Sequence, residues 1–150
     1  MAAVPPASTR HDPPIVRALT AGGLYFLLAF AVGFALGAVR ELVVAPHVSS
    51  DLALVLETPF MAVMVWLAAG FAVRRLCVPG GPSRLQMGLL ALVLLLGAEE
   101  LLTRARRGGS LLDHWASYGY LATAANLAGL IWFALAPLWI KTPSPDAATA

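Results

Sequence analysis

Four stretches of the chain are nearly unbroken runs of apolar side chains, and each stops at a helix breaker or a basic residue. The first runs from about Val16 to Ala45 and ends at Pro46. The second runs from about Leu52 to Val73 and ends at Arg74-Arg75. The third runs from about Leu85 to Thr103 and ends at the RARR run of residues 104–107. The fourth runs from about Tyr120 to Ile140 and ends at Lys141. About 20 apolar residues in a helix cross a hydrocarbon core about 30 Å thick, and each run reaches roughly that length. The pattern therefore predicts an all-α fold, an integral membrane four-helix up-down bundle over residues 15–141.

The segments between the runs are short. CVPGGPS, residues 77–83, reads as a turn of Gly and Pro. Residues 108–118 grade from polar to amphipathic, and the SLLDHW stretch predicts a short interfacial helix anchored by Trp115. Residues 1–14 carry four prolines and no apolar periodicity, which predicts a disordered arm; residues 142–150 predict a similar tail. The first run is too long for the 7–15-residue apolar region of a signal peptide, so it reads as a span that is kept.

Composition agrees. Of 150 residues, 59% are hydrophobic and 12% charged, with mean hydropathy +0.79. Soluble domains carry about 25% charged residues, and half that number cannot cover the apolar surface of so small a chain in water. The partner this implies is a lipid bilayer. A net charge of +2 with no long basic tract gives no support to nucleic acid. The lone Cys77 excludes an intramolecular disulfide and reads as a small apolar filler at a helix end.

The basic residues set an orientation. With four spans, one side holds Arg10, Arg17, Arg74, Arg75, Arg84 and Lys141, and the other holds Arg40, Arg104, Arg106 and Arg107. Six against four predicts both termini in the cytoplasm.

Depth brings out the one feature able to carry chemistry. At about 1.5 Å of rise per residue, Glu57 lies roughly 25 Å from the Arg74 end of its helix. Glu99 lies roughly 22 Å from Arg84, and Asn126 roughly 22 Å from Lys141. Arg40 and Glu41 sit toward the same level on the first helix, within reach if that helix tilts or the arginine snorkels. Glu100 adds a carboxylate beside Arg104, one helical turn away. A candidate intramembrane polar cluster of Arg40, Glu41, Glu57, Glu99, Glu100 and Asn126 thus collects in the outer third of the bundle. Gly33, Gly37 and Arg40 share one face, as do Ala122, Asn126 and Gly129, which predicts that the polar groups lie on faces suited to close helix packing.

A charge at the centre of a membrane helix costs about 2.5–3.5 kcal/mol, so Arg40 is expected to pair with Glu57 or Glu99. The leading expectation is a structural or accessory membrane protein whose ion pairs fix the register of four helices. The alternative is a proton- or cation-coupled small transporter using Glu57 and Glu99, since the cluster has more carboxylates than cations. A cluster facing a second copy of the chain or a membrane partner protein is the third reading. A membrane enzyme has no nameable catalytic residue: Ser110, Asp113 and His114 lack the Gly-x-Ser-x-Gly elbow. His47 and His114 lie near acids but at no metal-ligand spacing, so no metal and no cofactor is expected. Pro59, two residues after Glu57, removes a backbone donor inside the second helix.

Three stretches, GFALGAVRELVVAP, LETPFMAVMVWLAAGFAVRR and RLQMGLLALVLLLGAEELL, resemble a group of small bacterial inner-membrane proteins with four helices and no assigned activity. The resemblance covers the first three spans. It implies an inner (plasma) membrane location and a recurring pattern that includes Arg40, Glu57 and Glu99.

Overall fold

A computed structural model describes residues 13–44 and 46–141, with the side chains of Glu41 and Arg107 outside that description. Most of the expected arm, residues 1–12, and the expected tail, residues 142–150, lie outside it as well. Helix α1 covers Pro14–Val39 and runs on into a π turn at Arg40–Val44; α2 covers Ser50–Arg75, α3 Pro82–Arg107, α4 Leu111–Ala116 and α5 Tyr120–Leu135, which tightens into a 3₁₀ turn at Ala136–Trp139. No strand occurs among the described residues. Four of these segments, α1, α2, α3 and α5, are long and apolar enough to cross a membrane.

Local chemistry sets the ends. Proline, with φ already fixed and no N–H to lose, stands in the first turn of α1 and of α3. Ser49 caps α2 by accepting from the Leu52 amide at 3.3 Å. Gly108 closes α3 in the left-handed conformation, at φ 71°. Helices α1, α2 and α3 begin two or three residues before the predicted runs, because these polar and proline caps are helical but not apolar, whereas α5 begins at Tyr120 as predicted. Pro14, expected in the arm, is the first residue of α1. Cys77, expected as an apolar filler, is exposed at φ 48° in the turn after α2.

The four long helices alternate in direction, yet their packing does not follow chain order. Side-by-side contacts join α1 to α2, α2 to α5, α5 to α3 and α3 to α1. The consecutive helices α2 and α3 therefore face each other across a diagonal, as do α1 and α5. Side chains long enough to cross that second diagonal do so: Tyr25 of α1 stacks on Phe133 of α5, ring centres 4.6 Å apart, and its hydroxyl donates to the Phe133 carbonyl at 2.8 Å.

The main buried cluster lies toward the end that carries the N-terminus of α1 and the C-terminus of α5, termed here the terminal end. It is built from Ala18, Ala21 and Tyr25 of α1, Ala69, Ala72 and Val73 of α2, and Met87 and Ala91 of α3, closed below by Ala136 and Ile140. Small residues make this possible. A Cβ on Gly22 would sit 2.9 Å from the Met87 carbonyl oxygen, and one on Gly88 would collide with the Ala134 carbonyl. Two successive residues of α3 thus touch the backbones of two different helices. Buried Arg84 donates to the Ile140 carbonyl, and Arg17 donates to the Cys77 carbonyl at 3.1 Å. Both cations meet carbonyls that a helix or turn leaves without an internal donor.

Candidate functional site

At the opposite, loop end the same helices stand apart. Between them lies a cavity of about 540 Å³. Every long helix contributes a polar side chain to its wall: Arg40 from α1, Glu57 from α2, Glu99 and Arg106 from α3, and Asn126 from α5. The rest of the wall is apolar and rich in aromatic and thioether groups, notably Phe30, Phe34, Met61, Trp132 and Phe133.

The cavity begins where the packing rule changes. Gly33 meets only the end of the Met61 side chain, at 3.4 Å, and Gly37 and Gly129 have nothing within 4 Å of where a Cβ would lie. The glycines of the faces expected to bring helices together line open space instead, whereas Ala122 is fully buried. The backbone contacts are made one to three turns further in, at Gly22 and Gly88, which no polar neighbour marks. Trp132 holds the wall in place: its indole N–H donates to the Ala62 carbonyl at 3.0 Å, and its ring stacks on Trp66 at 5.6 Å. Residues of α2 and α5 are thereby tied on one side of the opening.

Of the six residues expected to cluster, four line this cavity: Arg40, Glu57, Glu99 and Asn126. Arg40 Nη1 and Glu57 Oε2 form an ion pair at 3.3 Å, with both side chains largely shielded from solvent. Glu99, by contrast, has no hydrogen-bond or ion-pair partner among the described residues. Asn126 likewise bonds no described residue and keeps its amide directed to neither carboxylate. The Glu41 side chain lies outside the described residues.

Glu100 is engaged elsewhere. One carboxylate oxygen accepts from Arg104 Nε, as the one-turn spacing predicts, and the other accepts from the Leu111 amide at 2.7 Å. Glu100 therefore satisfies the N-terminus of α4 rather than joining the cavity. That short helix is further fixed by Ser110 and Asp113, which cap each other's backbone in a reciprocal box. Hydrogen bonds from the Ser110 hydroxyl and amide hold the Asp113 carboxyl below its usual range.

Helix α4 and the turn after it roof the loop end. A second space of about 190 Å³ continues beneath them, sharing Arg40, Glu99, Arg106 and Asn126 with the larger one and adding His114, Trp115 and Tyr118. The Tyr118 hydroxyl and His114 Nε2 share a hydrogen bond at 2.9 Å, and Asp51 at the start of α2 accepts from the Gly119 amide at the same distance. His47 bonds the Val43 carbonyl through Nδ1 at 2.8 Å. In the sequence Arg106 reads as one of three arginines at a helix end. Its i, i+7 spacing from Glu99, two turns on the same face, is the signal that finds it.

Comparison with family models, with curated proteins and with solved structures finds no match to this chain.

Proposed function

We propose that this chain is a multi-pass integral protein of a bacterial inner membrane, both termini in the cytoplasm, that loads a proton or small cation at Glu99 as part of a coupled transport cycle. The four long apolar helices support insertion, the six-to-four distribution of Lys and Arg supports the orientation, and the resemblance to small four-helix inner-membrane proteins supports the location.

The observation that carries the functional reading is the contrast between two carboxylates on one cavity wall. Glu57 is neutralised by Arg40 at 3.3 Å. A cluster serving only to lock helices would pair its members and close around them, as Arg40 and Glu57 do. Glu99 has no partner among the described residues and faces the cavity. An acid kept unpaired at depth either holds a proton or awaits a cation, and exchange between those states is the elementary step of coupled transport. Arg40–Glu57 then supplies a fixed neutral pair beside the exchanging group.

The test compares wild type, Glu57→Gln and Glu99→Gln in purified form and in liposomes. Glu99→Gln is expected to abolish proton or cation flux at unchanged thermal stability, and Glu57→Gln to lower stability. A wild type without flux, with Glu99→Gln losing stability instead, would show the whole cluster to be structural.

A further inference from the structure

The size of the cavity says more than its charge. A water molecule occupies about 30 Å³, and a bare cation with a few waters needs only a few times that. The main space of about 540 Å³ falls in the range of about 300–1,000 Å³ that houses organic ligands. Its walls are graded. The ionisable groups stand toward the loop end, whereas Phe30, Met61 and Trp132 lie toward the packed core. An occupant must therefore be amphipathic, with its polar part at the level of Glu99 and its apolar body deeper.

The sign of its charge follows from which group is left over. Arg40 and Glu57 cancel. Arg106 is exposed at the end of α3, roughly 10 Å above Glu99 on the same helix, and keeps its hydration whatever binds below. Beneath the roof, His114 is already bonded to Tyr118, and α5 presents only the neutral Asn126. Among the described residues of the wall, Glu99 is the one ionisable group that is neither paired nor exposed. The aromatic rings deeper in the cavity favour a cation over an anion, because their faces carry partial negative charge.

We propose that the cavity binds a hydrophobic organic monocation, its charge against the Glu99 carboxylate and its apolar body among Phe30, Phe34, Met61 and Trp132. This rests on the reading of Glu99 as the ion-loading group and names what competes with the proton there. When Glu99 is protonated, binding releases that proton to water and leaves carboxylate and cation paired, so charge and atoms balance.

Tetraphenylphosphonium is a suitable probe, with tetraphenylborate as the anion of the same shape. Titrated into protein in a neutral detergent, the cation is expected to quench the stacked Trp66–Trp132 fluorescence saturably and to release protons into a weakly buffered solution. Glu99→Gln is expected to weaken it about tenfold or more, as loss of a charge-assisted contact does. Gly129→Leu, which grows into open space rather than into a neighbour, is expected to abolish binding while leaving Glu99 and the fold intact. Equal binding of tetraphenylborate, or an unchanged affinity in Glu99→Gln, would overturn the assignment of charge. Absence of cation binding in a wild type that still shows Glu99-dependent proton flux would overturn the ligand class alone. Absence of both would overturn the transport reading with it.

Discussion

Gly22 and Gly88 bring three helices into backbone contact at the terminal end, whereas Gly37 and Gly129 at the loop end face open space. The residue type is the same and its use is opposite. For helices in a bilayer, apolar burial would be no driving force, and close approach of backbones with the dispersion it gains would supply the cohesion. The terminal end concentrates that cohesion: Ala, Gly and Val fit around Tyr25 and Met87 with nothing left over. The loop end is held by a few directional contacts, the Arg40–Glu57 pair, the Trp132–Ala62 bond and the Asp51–Gly119 bond. A rigid half thus carries a half with room to bind.

This division predicts opposite responses to similar changes. Gly88→Leu should be the most damaging, because its side chain is driven into the Ala134 backbone; a loss of about 3 kcal/mol or more is expected, seen as a large fall in Tm or failure to purify as a monodisperse protein. Arg40→Ala should cost about 1–3 kcal/mol by leaving Glu57 shielded and unpaired. A double-mutant cycle with Glu57→Gln should return a coupling of about 0.5–3 kcal/mol; zero coupling would remove the ion pair from the account of the loop end. Tyr25→Phe keeps the stack on Phe133 and loses only the hydroxyl, for about 1–2 kcal/mol, measurable as a Tm shift with the fold intact. Gly37→Ala, in contrast to any substitution at Gly88, should be neutral or should stabilise by up to about 1 kcal/mol, since it gains helix propensity and meets nothing. A destabilising Gly37→Ala would mean that the loop end is closed after all.

The smallest effect concerns the roof. Asp113 lies outside the long helices, and its bonds to Ser110 lower its pKa relative to the unfolded chain. Its contribution to α4 is therefore present at pH above the ordinary aspartate value of about 3.9 and is lost only as pH falls below it, through the lowered value. Trp115 fluorescence should stay constant from neutral pH to about pH 4 and change below. A change between pH 5 and 7 would remove Asp113 from the account of the roof.

The four long helices were legible because each is an unbroken apolar run bounded by unambiguous residues such as Pro46, Arg75 and Lys141. Counting rise per residue also placed Glu57, Glu99 and Asn126 at one level, with Arg40 reaching it by tilt or snorkelling, and these four do line one cavity. Depth could not say which way each side chain turns. Glu99 and Glu100 are adjacent and differ by about 100° around the helix, so one faces the cavity and the other caps α4. Nor does a GxxxG-like spacing reveal whether its groove is filled; that depends on the opposing helix, and the neighbour order of α1, α2, α5 and α3 follows no rule of chain sequence. The π turn at Arg40–Val44 and the buried Arg84 also left no local trace, since both answer to tertiary partners.

The diagonal placement of α2 and α3 has a consequence for biosynthesis. The consecutive pairs α1–α2 and α3–α5 are each side-by-side neighbours, so the bundle is two hairpins packed on one another. Here the first hairpin, α1 with α2, waits with its small-residue faces unfilled until Met87 and Gly88 arrive on α3 to meet α1 and then α5. The most extensive packing, α1 on α3, therefore forms only between the hairpins. Two fragments cut between Arg75 and Pro82 should each insert and yet be degraded alone, and should rescue one another only when made together.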